Sequence, residues 1–202
     1  IYKFLLVGQT ANSNLNRYRE SNQSTVGEYL QPDFDFYKVL IPYILKEKNE
    51  KINILAKSID ITKNTLNFYN DLVGENNFNL IDRTGYSYEI IDKSEIIIGT
   101  TSTLLYEALS RGKKTAIFSH KSKIKKFENT KFGWPAKIEN KGCFWTDSID
   151  IDEIKRVINF LTEVSDLEWK KILNNEFDHI LKYEKNNEKF INFSKSIKMP
   201  IN

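Results

Sequence analysis

Short, nearly unbroken apolar runs alternate along this chain with longer stretches in which apolar residues recur every three or four positions. The runs Tyr2–Val7, Lys51–Ala56, Asn79–Ile81, Glu95–Ile98 and Thr115–Phe118 are too short for independent helices, and they read as strands buried on both faces. Between them the helical period takes over. Pro32 and Asp33 open an amphipathic helix with Phe36, Tyr37, Leu40 and Ile44 on one face, bent or interrupted at Pro42. Thr62 is placed to cap a helix containing Leu66, Tyr69 and Val73, and Gly74 stands where that helix would end. A short helix carries Tyr88, Ile90 and Ile91, and another runs Ser102–Arg111. The polar stretch Gln9–Leu30 reads as a long loop, of the kind that serves function or a partner.

Past Ser119 the pattern loosens through Lys121–Lys141, which includes Gly133-Trp134-Pro135. Helices are expected at Ile151–Thr162 and Asp166–Tyr183, and residues 184–202 read as a tail or connecting segment. Apolar strands joined by crossovers long enough to hold a helix pair in parallel and need cover on both sides. The pattern therefore predicts an α/β fold: a Rossmann-like open parallel sheet with helices on both faces, ending in C-terminal helices, in a single domain over residues 1–202.

Composition agrees with a packed domain, because 40% hydrophobic and 28% charged residues exclude both a disordered chain and a membrane-embedded one. No apolar stretch approaches the ~20 residues of a membrane span, so the expectation is a cytoplasmic protein. The chain starts at Ile1 and enters a strand at once, which predicts that it is part of something longer. The single cysteine, Cys143, excludes an internal disulfide framework and reads as a semi-buried thiol beside Phe144 and Trp145. The net charge is only +3, and the basic residues are dispersed except at Lys121, Lys123, Lys125 and Lys126. That cluster suits an anionic surface at the inner face of the cell membrane or a phosphate, although a solvated loop is the simpler reading. Nucleic acid is not indicated.

In an open parallel sheet, ligands bind beyond the carboxyl ends of the strands. Three loops there carry suitable groups: Gly8-Gln9-Thr10, Lys57-Ser58 and Gly99–Thr103. The last is the most informative, with a buried strand, a glycine and the hydroxyls of Thr100, Thr101, Ser102 and Thr103 running straight into a helix. Gly99 permits a tight turn, and the free N–H groups and positive end of the helix suit a phosphate. The plainer alternative is that one hydroxyl caps the helix. Glu107 lies about one turn further along, where a carboxylate can accept both hydroxyls of a ribose; alone, it would read as a surface partner of Arg111. Tyr86, Ser87, Tyr88 and Trp134 are placed to line a base or sugar pocket, with ordinary packing as the default for the aromatic residues. His120 follows a strand end and His179 sits in a polar helix; no His, Cys and Asp cluster has metal-ligand spacing, so no metal is expected.

The run from Ser87 to Phe118, with Gly99-Thr-Thr-Ser-Thr103, Glu107-Ala108 and Gly112, resembles the C-terminal half of GT-B glycosyltransferases, particularly those of bacterial capsule and surface-carbohydrate biosynthesis. The resemblance implies a nucleotide-sugar donor site and no separate cofactor. Ser102 and Thr103 match residues that touch donor phosphate, Glu107 matches the acid that binds the nucleotide ribose, and Lys57 falls where a basic residue meets the phosphates. It also implies an N-terminal acceptor-binding half that supplies the catalytic base, so no catalytic residue is assigned here and the chain alone is expected to bind nucleotide but transfer little sugar. Two features depart from the pattern. Gly99 stands where retaining members carry a second Glu, and Ala56-Lys-Ser-Ile59 replaces the His-Pro common in users of CMP-activated acids. A CDP-glycerol-type glycerophosphotransferase, a sugar-nucleotide epimerase half, and a non-catalytic nucleotide-binding or scaffold module share the architecture and stay open.

Overall fold

The computed structural model describes residues 1–9, 25–57, 63–81, 86–177 and 188–196. Six strands form one parallel sheet: β1 (Tyr2–Val7), β2 (Ile52–Leu55), β3 (Phe78–Leu80), β4 (Ser94–Gly99), β5 (Lys114–Phe118) and β6 (Trp145–Thr146), ordered β3-β2-β1-β4-β5-β6. The two most apolar strands take the centre, with Leu5 opposite Ile97 and Leu6 opposite Ile98. Phe4, Leu5, Leu6, Ile97 and Ile98 are fully buried, which explains the absence of period-two alternation. Each such side chain contributes roughly 1.5–3 kcal/mol relative to exposure.

Helices α1 (Thr25–Glu47), α2 (Lys63–Val73), α3 (Ser87–Asp92), α4 (Thr103–Ser110), α5 (Ile151–Glu163), α6 (Asp166–Glu176) and α7 (Glu188–Ser196) flank the sheet and close the chain. The chain winds outward from β1 to β3, returns past β1 to β4 and continues to β6, so the order of winding, not the strand direction, reverses between β1 and β4. Helix α1 packs against α2 and α5, where the Tyr43 hydroxyl donates to Asn159 at 3.0 Å. Helix α5 is sharply amphipathic and buries Ile154, Val157, Ile158 and Leu161. Helix α6 is held to the rest by the Trp169 indole N–H, which donates to the Gly112 carbonyl at 3.0 Å.

Helix α1 corrects the sequence reading. It begins at Thr25, inside the stretch assigned to a loop, and keeps both Pro32 and Pro42 within its length. A proline costs about 3 kcal/mol inside a helix. Burial of Leu30, Phe34, Phe36, Tyr37, Leu40, Ile41 and Ile44 outweighs that cost. Helix α2 ends at Gly74 as expected, with φ of +89°, but its buried residues are Thr65, Phe68 and Tyr69, and Leu66 is exposed. Thr62 lies outside the described residues. The loosened segment contains 3-10 turns at His120–Lys123 and Lys125–Thr130, followed by β6, which is too short to leave a sequence signature. Helix α7 falls within the segment read as a tail. Among the described residues no helix is long and apolar enough to cross a membrane.

Candidate functional site

The reversal between β1 and β4 opens a crevice at the carboxyl edge of the sheet, where doubly wound folds take their ligands. A cleft of about 350 Å³ occupies it, within the size range of small-molecule sites. Its walls are Gly8 and Gln9 after β1, Lys57 after β2, Tyr86 to Tyr88 at the start of α3, and Ser102, Thr103, Leu104 and Glu107 at the start of α4. Three separate loops thus converge as the sequence suggested; Thr10 and Ser58 lie outside the described residues.

The loop after β1 is held tightly. The Gly8 N–H donates to the Leu55 carbonyl at 2.9 Å and the Gln9 N–H to the Tyr37 hydroxyl at 3.2 Å, so both amides are used within the fold. A Cβ on Gly8 would meet the Tyr69 hydroxyl at 2.7 Å, and Tyr69 is fully buried and cannot yield. Glycine stands here for space.

Gly99 has a similar reason. It ends β4 without a positive φ, and a Cβ there would lie 2.9 Å from Leu105, so it admits close packing of α4 rather than an unusual turn. The four hydroxyl residues after it divide between two sides. Thr100 is buried and Thr101 shares a hydrogen bond of 3.1 Å with the Tyr29 hydroxyl, both facing α1. Ser102 is the N-cap of α4, its Oγ accepting from the Leu104 N–H at 3.3 Å, and Thr103 is exposed at the cleft. Capping therefore accounts for one hydroxyl and packing for two more. The N–H groups of Ser102 and Thr103 have no partner among the described residues and stand at the positive end of the helix.

Glu107 is half-buried one turn below, and its Oε2 is shielded from solvent without a hydrogen-bond partner among the described residues. A shielded, unsatisfied carboxylate oxygen is costly and calls for a donor. The same carboxylate, close to the Tyr88 hydroxyl, pushes that phenol above its ordinary pKa. Arg111 lies 5.5 Å over the Tyr88 ring and directs its Nε to Asp92 at 3.0 Å. Tyr86 and Tyr88 are both exposed at the rim, the first by 77% of its surface. Ser87 sits between them, half-buried, and Lys57 is exposed opposite.

Other candidates go elsewhere. Trp134 is exposed outside the cleft. His120 is buried with Nδ1 3.1 Å from the Phe118 carbonyl and Nε2 2.9 Å from the Pro32 carbonyl, and burial lowers its pKa; its position is structural. His179 lies outside the described residues. The lysine cluster is not a uniform solvated patch: Lys121 is fully buried and pairs with Asp33 at 2.6 Å, while Lys123 pairs with Asp147 and Lys126 with Glu28. Its charge periodicity hid this, because the partner carboxylate lies on α1. A larger cleft of about 730 Å³ sits at the opposite, amino edge of β4 and β5, where two of its lysines are engaged: Lys114 donates to the Val164 carbonyl and Lys113 to the Asp92 carbonyl.

A parallel doubly wound sheet with a polar cleft at its switch point and an open helix N-terminus inside it makes this a Rossmann-like α/β domain. More narrowly, the chain belongs to a family described as "putative O-antigen biosynthesis protein", whose profile matches residues 10–198. No curated protein and no solved structure matches it. The family ties the chain to assembly of a bacterial surface carbohydrate.

Proposed function

We propose that the chain is the nucleotide-sugar-binding half of a GT-B glycosyltransferase that works in O-antigen-type surface-carbohydrate assembly. The observation that carries this reading is the shielded, unbonded Oε2 of Glu107, one turn from the uncapped N–H groups of Ser102 and Thr103 in the same cleft. In this reading the ribose hydroxyls donate to Glu107 and the phosphates lie across the helix N-terminus, with Lys57 opposite. Tyr86 and Tyr88 flank the base. When the acceptor oxygen attacks the anomeric carbon, the bond from that carbon to the phosphate oxygen breaks and its electrons stay on the nucleotide. The α4 dipole, its N–H groups and the Thr103 hydroxyl stabilise that charge. The base that deprotonates the acceptor belongs to the other half, and no residue of this chain is given that role.

Calorimetric titration of the chain with CMP, CDP, UDP and GDP, each beside its nucleoside, tests the reading. At least one nucleotide is expected to bind, with its nucleoside about tenfold weaker or more, since charge-assisted hydrogen bonds contribute roughly 1.5–3 kcal/mol. Absence of binding to all four would favour a scaffold module.

A further inference from the structure

We propose that Tyr29, Asp33 and Lys121 act as a positioning network that fixes the Gly99–Thr103 turn in its phosphate-binding shape; the proposal rests on the nucleotide reading above. Tyr29 and Asp33 are one helical turn apart on α1, and Tyr29 reaches the turn directly. The Tyr29 hydroxyl bonds the Thr101 hydroxyl at 3.1 Å, and Thr100, the preceding residue of the turn, is buried. A single ammonium ties the two together: Lys121 Nζ lies 2.6 Å from Asp33 Oδ2 and 3.7 Å from the centre of the Tyr29 ring. His120, beside Lys121, anchors the same 3-10 turn to α1 through the Pro32 carbonyl.

Both members of the ion pair are fully buried. An apolar pair of similar volume would serve packing alone as well or better, because two desolvated charges recover little net stability. What an apolar pair could not do is hold the Tyr29 ring by its charge, and with it the hydroxyl that meets Thr101. Backbone N–H groups hold a phosphate only when their direction is fixed, and a displacement of about 1 Å is enough to weaken such a site severely. The network therefore lies behind the turn while Ser102, Thr103 and Glu107 face the cleft in front of it. None of its three residues lines the cleft, so its influence on affinity passes through the turn.

Tyr29→Phe is the discriminating variant, since the ring that covers Lys121 and packs edge-on to Phe127 is kept and only the hydroxyl to Thr101 is lost. Titrations use CDP, UDP and GDP with cytidine, uridine and guanosine. The variant is expected to bind the nucleoside diphosphate about threefold to tenfold more weakly, while nucleoside affinity stays at the wild-type value and the thermal midpoint falls by only a few degrees, roughly the worth of one hydrogen bond. Thr101→Val should give the same loss, and the double variant no more than either single one, because all three remove one bond. Equal affinity of wild type and Tyr29→Phe for the diphosphate would overturn the proposal. So would a loss shared equally by nucleoside and nucleotide, or additive losses in the double variant. Failure of the wild-type chain to bind any nucleotide would instead remove the nucleotide reading itself, and the positioning role with it.

Discussion

Glu107→Ala is expected to weaken nucleotide binding by roughly tenfold to a hundredfold, the range set by hydrogen bonds to a charged group at about 1.5–3 kcal/mol. The physical reason lies in the carboxylate's situation. One oxygen is shielded and lacks a partner among the described residues, and the Tyr88 hydroxyl stands close to the same group. A ribose supplies two adjacent donors in the geometry such a group needs. The loss should therefore depend on the sugar: a 2′,3′-dideoxy nucleotide is expected to bind wild type and Glu107→Ala equally. Glu107→Gln, which keeps an acceptor without the charge, should fall between. Titration of the three proteins with the ribo- and dideoxy-nucleotide checks this, and equal binding of the ribonucleotide by wild type and Glu107→Ala would reject Glu107 as the ribose ligand.

The largest effect on stability is expected at Lys121→Met. Removing the ammonium leaves the Asp33 carboxylate buried without its ion-pair partner, which costs about 3–5 kcal/mol and, at about 2–4 °C per kcal/mol for a chain of this size, lowers the thermal midpoint by roughly 6–20 °C. Burial already raises the proton affinity of Asp33, against the pull of Lys121, Thr100 and His120. Without Lys121 that rise is larger, and the folded state then holds a proton that the unfolded carboxyl releases. The deficit of the variant relative to wild type should consequently shrink as pH falls from 7 toward 5, because the neutral acid no longer needs the ammonium. Asp33→Leu combined with Lys121→Met should recover most of the stability. Thermal melts of the three proteins across that pH range measure both effects, and a deficit that grows on acidification would rule out this role for the pair.

Most of the sheet and half of the cleft were legible in the sequence, for a common reason. Ile96–Ile98 followed by Gly99 and a hydroxyl run states a buried strand, a close helix approach and a helix start in contiguous residues. Glu107 follows at a spacing that any α-helix converts into proximity. What escaped depended on distant partners. The start of α1 was hidden by Pro32, a residue that ordinarily opens helices but here sits in one held by the burial of Leu30 and Phe34. Lys121 looked like one lysine of a solvated cluster, yet Asp33 and Tyr29, far away in the chain, take it out of water. The division of the four hydroxyls was equally invisible, since Thr101 turns away from the cleft toward a tyrosine on α1. A lysine cannot be recognised as buried before its carboxylate is placed.

In the proposed function a nucleotide lies at the switch point with its ribose on Glu107 and its phosphates at the start of α4. A crystal structure of the chain with the nucleotide that binds in solution measures this directly. Ribose hydroxyls are expected within hydrogen-bond distance of Glu107, and phosphate oxygens on the Ser102 and Thr103 N–H groups. A nucleotide bound instead in the larger cleft at the amino edge of β4 and β5, with Glu107 untouched, would contradict the proposed function.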